Sequence, residues 1–147
     1  MLNKGTLAPD FTLTDQNGDS HSLSQYRGRY TLIYFYPKDS TPGCTTEACT
    51  IRDLYKDFES NNAKVLGISA DTTASHKKFA DKYNLPFTLL ADTTKSAIKA
   101  YDANKIPMGI KRISYLIAPD GTIAKTYPKV TPADHGAEIL KDIYALK

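Results

Sequence analysis

Two cysteines, Cys44 and Cys49, are the residues of this chain best suited to chemistry. They stand five positions apart in Thr41-Pro-Gly-Cys44-Thr-Thr-Glu47-Ala-Cys49. A thiolate is both nucleophile and metal ligand, and a close pair of thiols can exchange electrons by forming a disulfide. Thr41 reads as a helix N-cap, Pro42 as the first helical residue and Cys44 as the third. The free N–H groups and macrodipole of a helix start favour an anion, so a thiolate at Cys44 is stabilised by its position. The Thr41 hydroxyl is expected to cap the helix and to stand beside the sulfur, able to donate to it or to an oxygen bound there.

One helix is expected from Pro42 to Ser60. With Cys44 at zero on a wheel of about 100° per residue, Ala48, Ile51, Tyr55 and Phe58 fall within roughly 40° of it. Cys44 therefore heads an apolar stripe. Cys49 lies about 140° away, beside Thr45, Arg52, Asp53 and Lys56 on a polar flank. Five residues along an intact helix separate Cα atoms by roughly 8–9 Å. A disulfide tolerates only about 4.4–6.8 Å. A bond between the two thiols thus requires the first turns to unwind, as terminal turns do at low cost. Free cysteines are also common as small buried apolar residues. For Cys49 that reading stays open beside the redox one; for Cys44 the helix start argues for reactivity.

The elements that must position these residues follow from periodicity. Thr31–Tyr36 is apolar or β-branched throughout, as in a strand covered on both faces, and delivers the chain to the Pro/Gly turn before Cys44. Before it, Phe11–Leu13 and His21–Leu23 flank Asn17-Gly18, a hairpin signal. After it, Lys64–Asp71 reads as a buried strand, Thr73–Tyr83 as a helix, Pro86–Asp92 as a short strand and Thr94–Tyr101 as a short helix. Ile113–Ile117 and Thr122–Thr126 form a hairpin across Pro119-Asp-Gly121, and Thr131–Leu146 a closing helix with Pro132 in its first turn. Strands alternating with helices predict one α/β domain over residues 1–147, with a central mixed sheet, helices on both faces and an N-terminal β-hairpin.

Composition excludes several classes. The 19 basic and 16 acidic side chains leave a net charge of +3 without blocks of one sign, which gives nucleic-acid binding no support. No apolar run approaches the ~20 residues of a membrane span, and residues 1–9 lack the apolar core of a signal peptide. A cytoplasmic location is the expectation. Two cysteines are too few for a secreted disulfide scaffold. His21, His76 and His135 have no ligand spacing with the cysteines, so no metal is expected, and each histidine is read as a surface or capping residue. The ten tyrosines are read as core or rim packing.

Pro37, Thr41 and Cys44 match the Pro-x-x-x-Thr/Ser-x-x-Cys signature of the peroxiredoxins, which the chain closely resembles. The run Thr41–Cys49 is similar to the bacterioferritin-comigratory, or Q-type, subgroup. The likeness continues through Gly67–Asp71, Ser75–Phe79, Leu85–Asp92 and Gly109–Arg112. It implies a thioredoxin-like fold and reduction of hydrogen peroxide and organic hydroperoxides. By the same resemblance Cys44 is the peroxidatic nucleophile and Cys49 the resolving thiol, five residues on. Thr41 would contact the peroxide, and Arg112 would stabilise the thiolate and polarise the peroxide. Pro37 would shield the sulfur and Glu47 would orient Arg112, with Gly43 as a further supporting residue. Without the resemblance, Arg112 reads as an ordinary surface charge. Tyr115 and Ala118-Pro119 depart from the commoner family residues, away from the named chemistry.

The resemblance implies thioredoxin or a similar dithiol as reductant and no metal, haem or flavin. A monomer or weak dimer without membrane or nucleic-acid partners is expected. A thioredoxin-type disulfide oxidoreductase would need Cys-x-x-Cys, and Thr41 occupies the first of those positions. A catalytically dead thioredoxin-like interaction module is the remaining rival, against which the cap, the thiol and the arginine argue.

Overall fold

The computed structural model describes residues 1–147. In chain order the strands are β1 (Thr12–Asp15), β2 (Ser20–Ser22), β3 (Tyr30–Phe35), β4 (Ala63–Ser69), β5 (Thr88–Ala91), β6 (Ile113–Ile117) and β7 (Ile123–Tyr127). The helices are α1 (Pro42–Asp53), α2 (Tyr55–Ser60), α3 (Thr73–Tyr83), α4 (Ser96–Ala100) and α5 (His135–Leu146), with a 3₁₀ turn at Leu23–Tyr26. All the strands join one sheet in the order β2-β1-β5-β4-β3-β6-β7. Its centre, β3, β4 and β5, is parallel; β6, β7, β1 and β2 add antiparallel edges. This is the mixed sheet expected, and the N-terminal hairpin docks on β5 as its edge.

Successive β3 side chains enter two cores. Leu32, Tyr34 and Tyr36 pack on one face with Cys44, Ala48, Ile51, Phe58, Phe79, Ile139 and Ile143, which come from α1, α2, α3 and α5. Ile33 and Phe35 pack on the other face with Ile98 of α4, Tyr101 and the N-terminal segment. A strand buried on both sides cannot alternate polar and apolar residues, which is why Thr31–Tyr36 reads as a continuous run. Gly67 of β4 pairs with Tyr34 and leaves room for its ring: a Cβ there would stand 2.8 Å from the Tyr34 ring carbon and hydroxyl.

Three expectations need correction. The helix read from Pro42 to Ser60 breaks at Leu54, whose N–H turns to the Ile51 carbonyl three residues back. Leu54 fills the space that Gly136 leaves on α5, where a Cβ would come within 3.2 Å of it. That packing partner lies far along the chain and sends no local signal. The closing helix begins at His135 rather than Thr131; the Asp134 and His135 N–H groups both donate to the Thr131 carbonyl, so Pro132 sits in a preceding turn. The Pro132 carbonyl accepts from Thr50 Oγ1 at 3.2 Å, tying that turn to α1. Finally, His76 and His135 are fully buried rather than on the surface. His135 Nε2 lies 2.8 Å from Ser114 Oγ and joins α5 to β6; its imidazole is held below its ordinary pKa by burial, against the pull of Glu138.

Candidate active site

The parallel strands β3, β4 and β5 all end at one edge of the sheet, and β6 starts there. Pockets in open α/β sheets form at this edge, beyond the strand ends. Six residues carry the chain from Phe35 to Pro42. Thr41 is the N-cap of α1 by backbone geometry, extended and with its carbonyl accepting from Thr45 N at 2.8 Å; Pro42 is the first helical residue. Cys44 is third and only 2% exposed. Its side chain points inward at the head of the Ala48, Ile51 and Phe58 stripe, as the wheel predicts.

Arg112 reaches the sulfur. The pairing of Phe35 with Ile113 sets the residue before β6 beside the end of β3. From there Nη2 donates to Cys44 Sγ at 3.1 Å, and Nη1 donates to Glu47 Oε1 at 2.8 Å. Burial opposes the guanidinium charge, yet the bonds to Cys44 and Glu47 outweigh it and hold its pKa above the ordinary value. Gly43 makes room: a Cβ there would stand 3.0 Å from Nη2. Glu47 is fully buried one turn after Cys44, and burial pushes its carboxyl up to about 7 despite Arg112. Its Oε2 and the Tyr34 hydroxyl are buried without hydrogen-bond partners. Burial first, then the charges of Glu47 and Cys44, keep the Tyr34 phenol protonated far above its usual range.

The Thr41 hydroxyl does not cap the helix. It donates to the Lys38 carbonyl at 2.8 Å across the turn 38–41, and no helix N–H donates to it. Its lone pairs remain able to accept. Pro37 is exposed on the same loop. Cys49 is half-buried on the opposite flank of α1; the helix runs unbroken past both cysteines, and both thiols are free.

Two residues near the site were missed in the sequence. Asp39, in the loop before Thr41, buries a carboxylate that accepts from Tyr36 Oη at 2.6 Å and Ser75 Oγ at 2.8 Å. Its Oδ2 also lies 2.7 Å from His76 Nδ1. Burial would raise this carboxyl, but these bonds, His76 foremost, pull it below the usual range. The signal was available: His76 falls on the stripe His76, Phe79, Ala80 that α3 buries. With Asp71, these two groups lie close enough to share a metal ion, but His76 Nδ1 and Nε2, both Asp39 oxygens and Asp71 Oδ2 already have partners within the protein.

Residues 5–126 match the family model described as AhpC/TSA. Peroxiredoxin Bcp of Bacillus subtilis is 42% identical over 146 residues, covering 95% of this chain and 93% of its own length. Chloroplastic peroxiredoxin Q of Oryza sativa subsp. japonica is 43% identical over 148 residues, covering 99% of this chain and 68% of its own. The bacterioferritin comigratory protein of Xanthomonas campestris, solved in complexes bearing on its alkyl peroxide reduction, superposes with a TM-score of 0.92 at 32% identity. That match spans 98% of this chain and 99% of the other. Peroxidoxin BcpB of Mycobacterium tuberculosis superposes with a TM-score of 0.94 at 29% identity, over 100% and 99% of the two chains.

Proposed function

The chain belongs to the AhpC/TSA family of peroxiredoxins and is a thiol-dependent peroxidase; on that premise we propose how its own residues divide the work. Cys44 is the peroxidatic nucleophile. Its thiolate attacks one peroxide oxygen, the O–O bond breaks, and the second oxygen leaves with the bonding pair and takes a proton as water or alcohol. Arg112 and the N–H groups at the start of α1 face the charge that moves onto the leaving oxygen. Thr41, its own proton given to Lys38, accepts from the peroxide hydroxyl. Glu47 holds the guanidinium in place, Gly43 gives it room, and Pro37 screens the sulfur from the solvent side. Cys44 is left as a sulfenic acid.

Cys49 then resolves it. The first turns of α1 unwind, the Cys49 sulfur attacks the sulfenic sulfur, a disulfide forms and water leaves. A thioredoxin-type dithiol reduces the disulfide and becomes oxidised itself. No cofactor enters this cycle. The observation that carries the reading is the 3.1 Å contact from Arg112 Nη2 to the sulfur of a cysteine at a helix start. The chain is read as one domain over residues 1–147, acting as a monomer or weak dimer in the cytoplasm without nucleic-acid or membrane partners. No helix is long and apolar enough to cross a membrane.

The test is stopped-flow reduction of hydrogen peroxide with intact mass read before and after. One equivalent of peroxide should remove two hydrogens from the chain without forming a dimer. Cys44→Ser should consume no peroxide; consumption at the wild-type rate would sink the assignment.

A further inference from the structure

The unwinding of α1 needs a fixed end, and the loop before it contains a buried clamp outside the reacting groups. His76 Nε2 lies 3.0 Å from the Leu90 carbonyl, which can only accept, so Nε2 carries a proton. His76 Nδ1 lies 2.7 Å from Asp39 Oδ2. The same carboxylate accepts from Tyr36 and Ser75 hydroxyls, and a carboxylate with several donors is held ionised. His76 and Asp39 thus form a buried pair whose side chains are 0% and 3% exposed. The Asp39 N–H adds a bond of 2.9 Å to Asp71 Oδ2, which also accepts from Ser69 Oγ at the end of β4. The loop is thus fastened to α3, β4 and β5 at one residue, Asp39. Ser40 follows directly in the left-handed region, with φ of 62°.

Polar ties on α1 are distributed differently. Its first two turns are linked to the rest of the fold by the Arg112 bonds to Cys44 and Glu47. Beyond Cys49, Thr50 bonds the Pro132 carbonyl and Arg52 Nη1 donates to the Tyr83 carbonyl at 2.8 Å. The segment between the ties at Asp39 and those at Thr50 and Arg52, residues 40–49, holds both cysteines and only the Arg112 bonds to the rest of the fold.

We infer that the Asp39–His76 pair is a positioning clamp that forms the fixed N-terminal end of the segment that unwinds. It holds Thr41 in register for peroxide, confines the opening to the residues after Asp39, and guides the helix start back after reduction. Removing the clamp loosens the folded form that meets peroxide and favours the open form that makes the disulfide. Asp39 and His76 touch no reacting atom; they act through the loop.

This inference rests on Cys49 being the resolving thiol, and the experiment separates the two. Amide exchange is followed by NMR in the reduced protein and in the intramolecular disulfide. The amides of residues 45–48, the first with helical acceptors, should lose protection in the disulfide, while those of Asp39 and His76 keep it. A disulfide that forms with the Asp39 amide unprotected overturns the clamp alone. Failure of the disulfide to form overturns the resolving role of Cys49 and the clamp with it. The isosteric Asp39→Asn gives the kinetic counterpart. Peroxide reacts with the competent fraction only, so oxidation of Cys44 should slow by about fivefold or more as that fraction falls. Disulfide formation should instead speed up. Ser75→Ala, which removes one donor to the same carboxylate, should move both rates in the same directions by less. A merely structural role would lower the melting temperature with both rates unchanged, and that result, or a slowing of both steps, overturns the inference.

Discussion

Arg112 serves two buried groups at once, the Cys44 sulfur on Nη2 and the Glu47 carboxyl on Nη1. Glu47 is the group whose protonation answers: burial raises its carboxyl from 4.5 to about 7 against the pull of Arg112. A group whose pKa is raised in the folded state binds more protons there than in the unfolded chain. Its contribution to stability is therefore fully present below about pH 4.5 and is lost as pH rises to about 7. The expected size is on the order of 3 kcal/mol, from a shift of roughly two and a half units. Glu47→Gln removes this titration and keeps an acceptor for Nη1. Urea unfolding at pH 5 and pH 7.5 should show the wild type losing more stability than the variant across that interval; equal losses would count against an elevated carboxyl pKa.

At the scale of elements, α1 carries the site and is shaped by its neighbours. Gly43 in its first turn is a residue whose helix propensity is poor, kept where the guanidinium comes close. Gly43→Ala should leave the melting temperature unchanged or raise it, since alanine favours a helix by about 0.5 kcal/mol or more. The new Cβ, 3.0 Å from Nη2, displaces the far end of a flexible side chain, which costs little stability but moves the donor off the sulfur. Oxidation of Cys44 should slow by about tenfold, a fraction of what loss of an oxyanion donor costs. Stopped-flow rates at the wild-type value would show that the guanidinium finds its place regardless. The break at Leu54 belongs to this scale too, because it is set by the gap at Gly136 on α5.

For the whole molecule the question is how far a change at one thiol spreads. The sheet is buried on both faces and α5 seals the face that α1 packs against, so opening should stop at the first turns of α1. Far-UV circular dichroism should show the wild-type disulfide losing a small part of the helix signal. Cys49→Ser, treated with one equivalent of peroxide, should keep that signal as a sulfenic acid and stall with thioredoxin as reductant. Equal helix loss in both forms would place the unfolding before, not during, resolution. Much of this was legible in the chain alone. Periodicity determined β3, the inward stripe of Cys44, Ala48, Ile51 and Phe58, and the separation of Cys44 from Cys49, because those depend on neighbours within a few turns. Arg112 was legible only through family resemblance, since its bond to Cys44 joins residues 68 apart and exists only once β6 pairs with β3. The burial of His76 and His135 and the clamp on Asp39 were decided by tertiary structure. A local pattern states which face of an element is apolar; which polar group meets another across the core is set by how the elements pack.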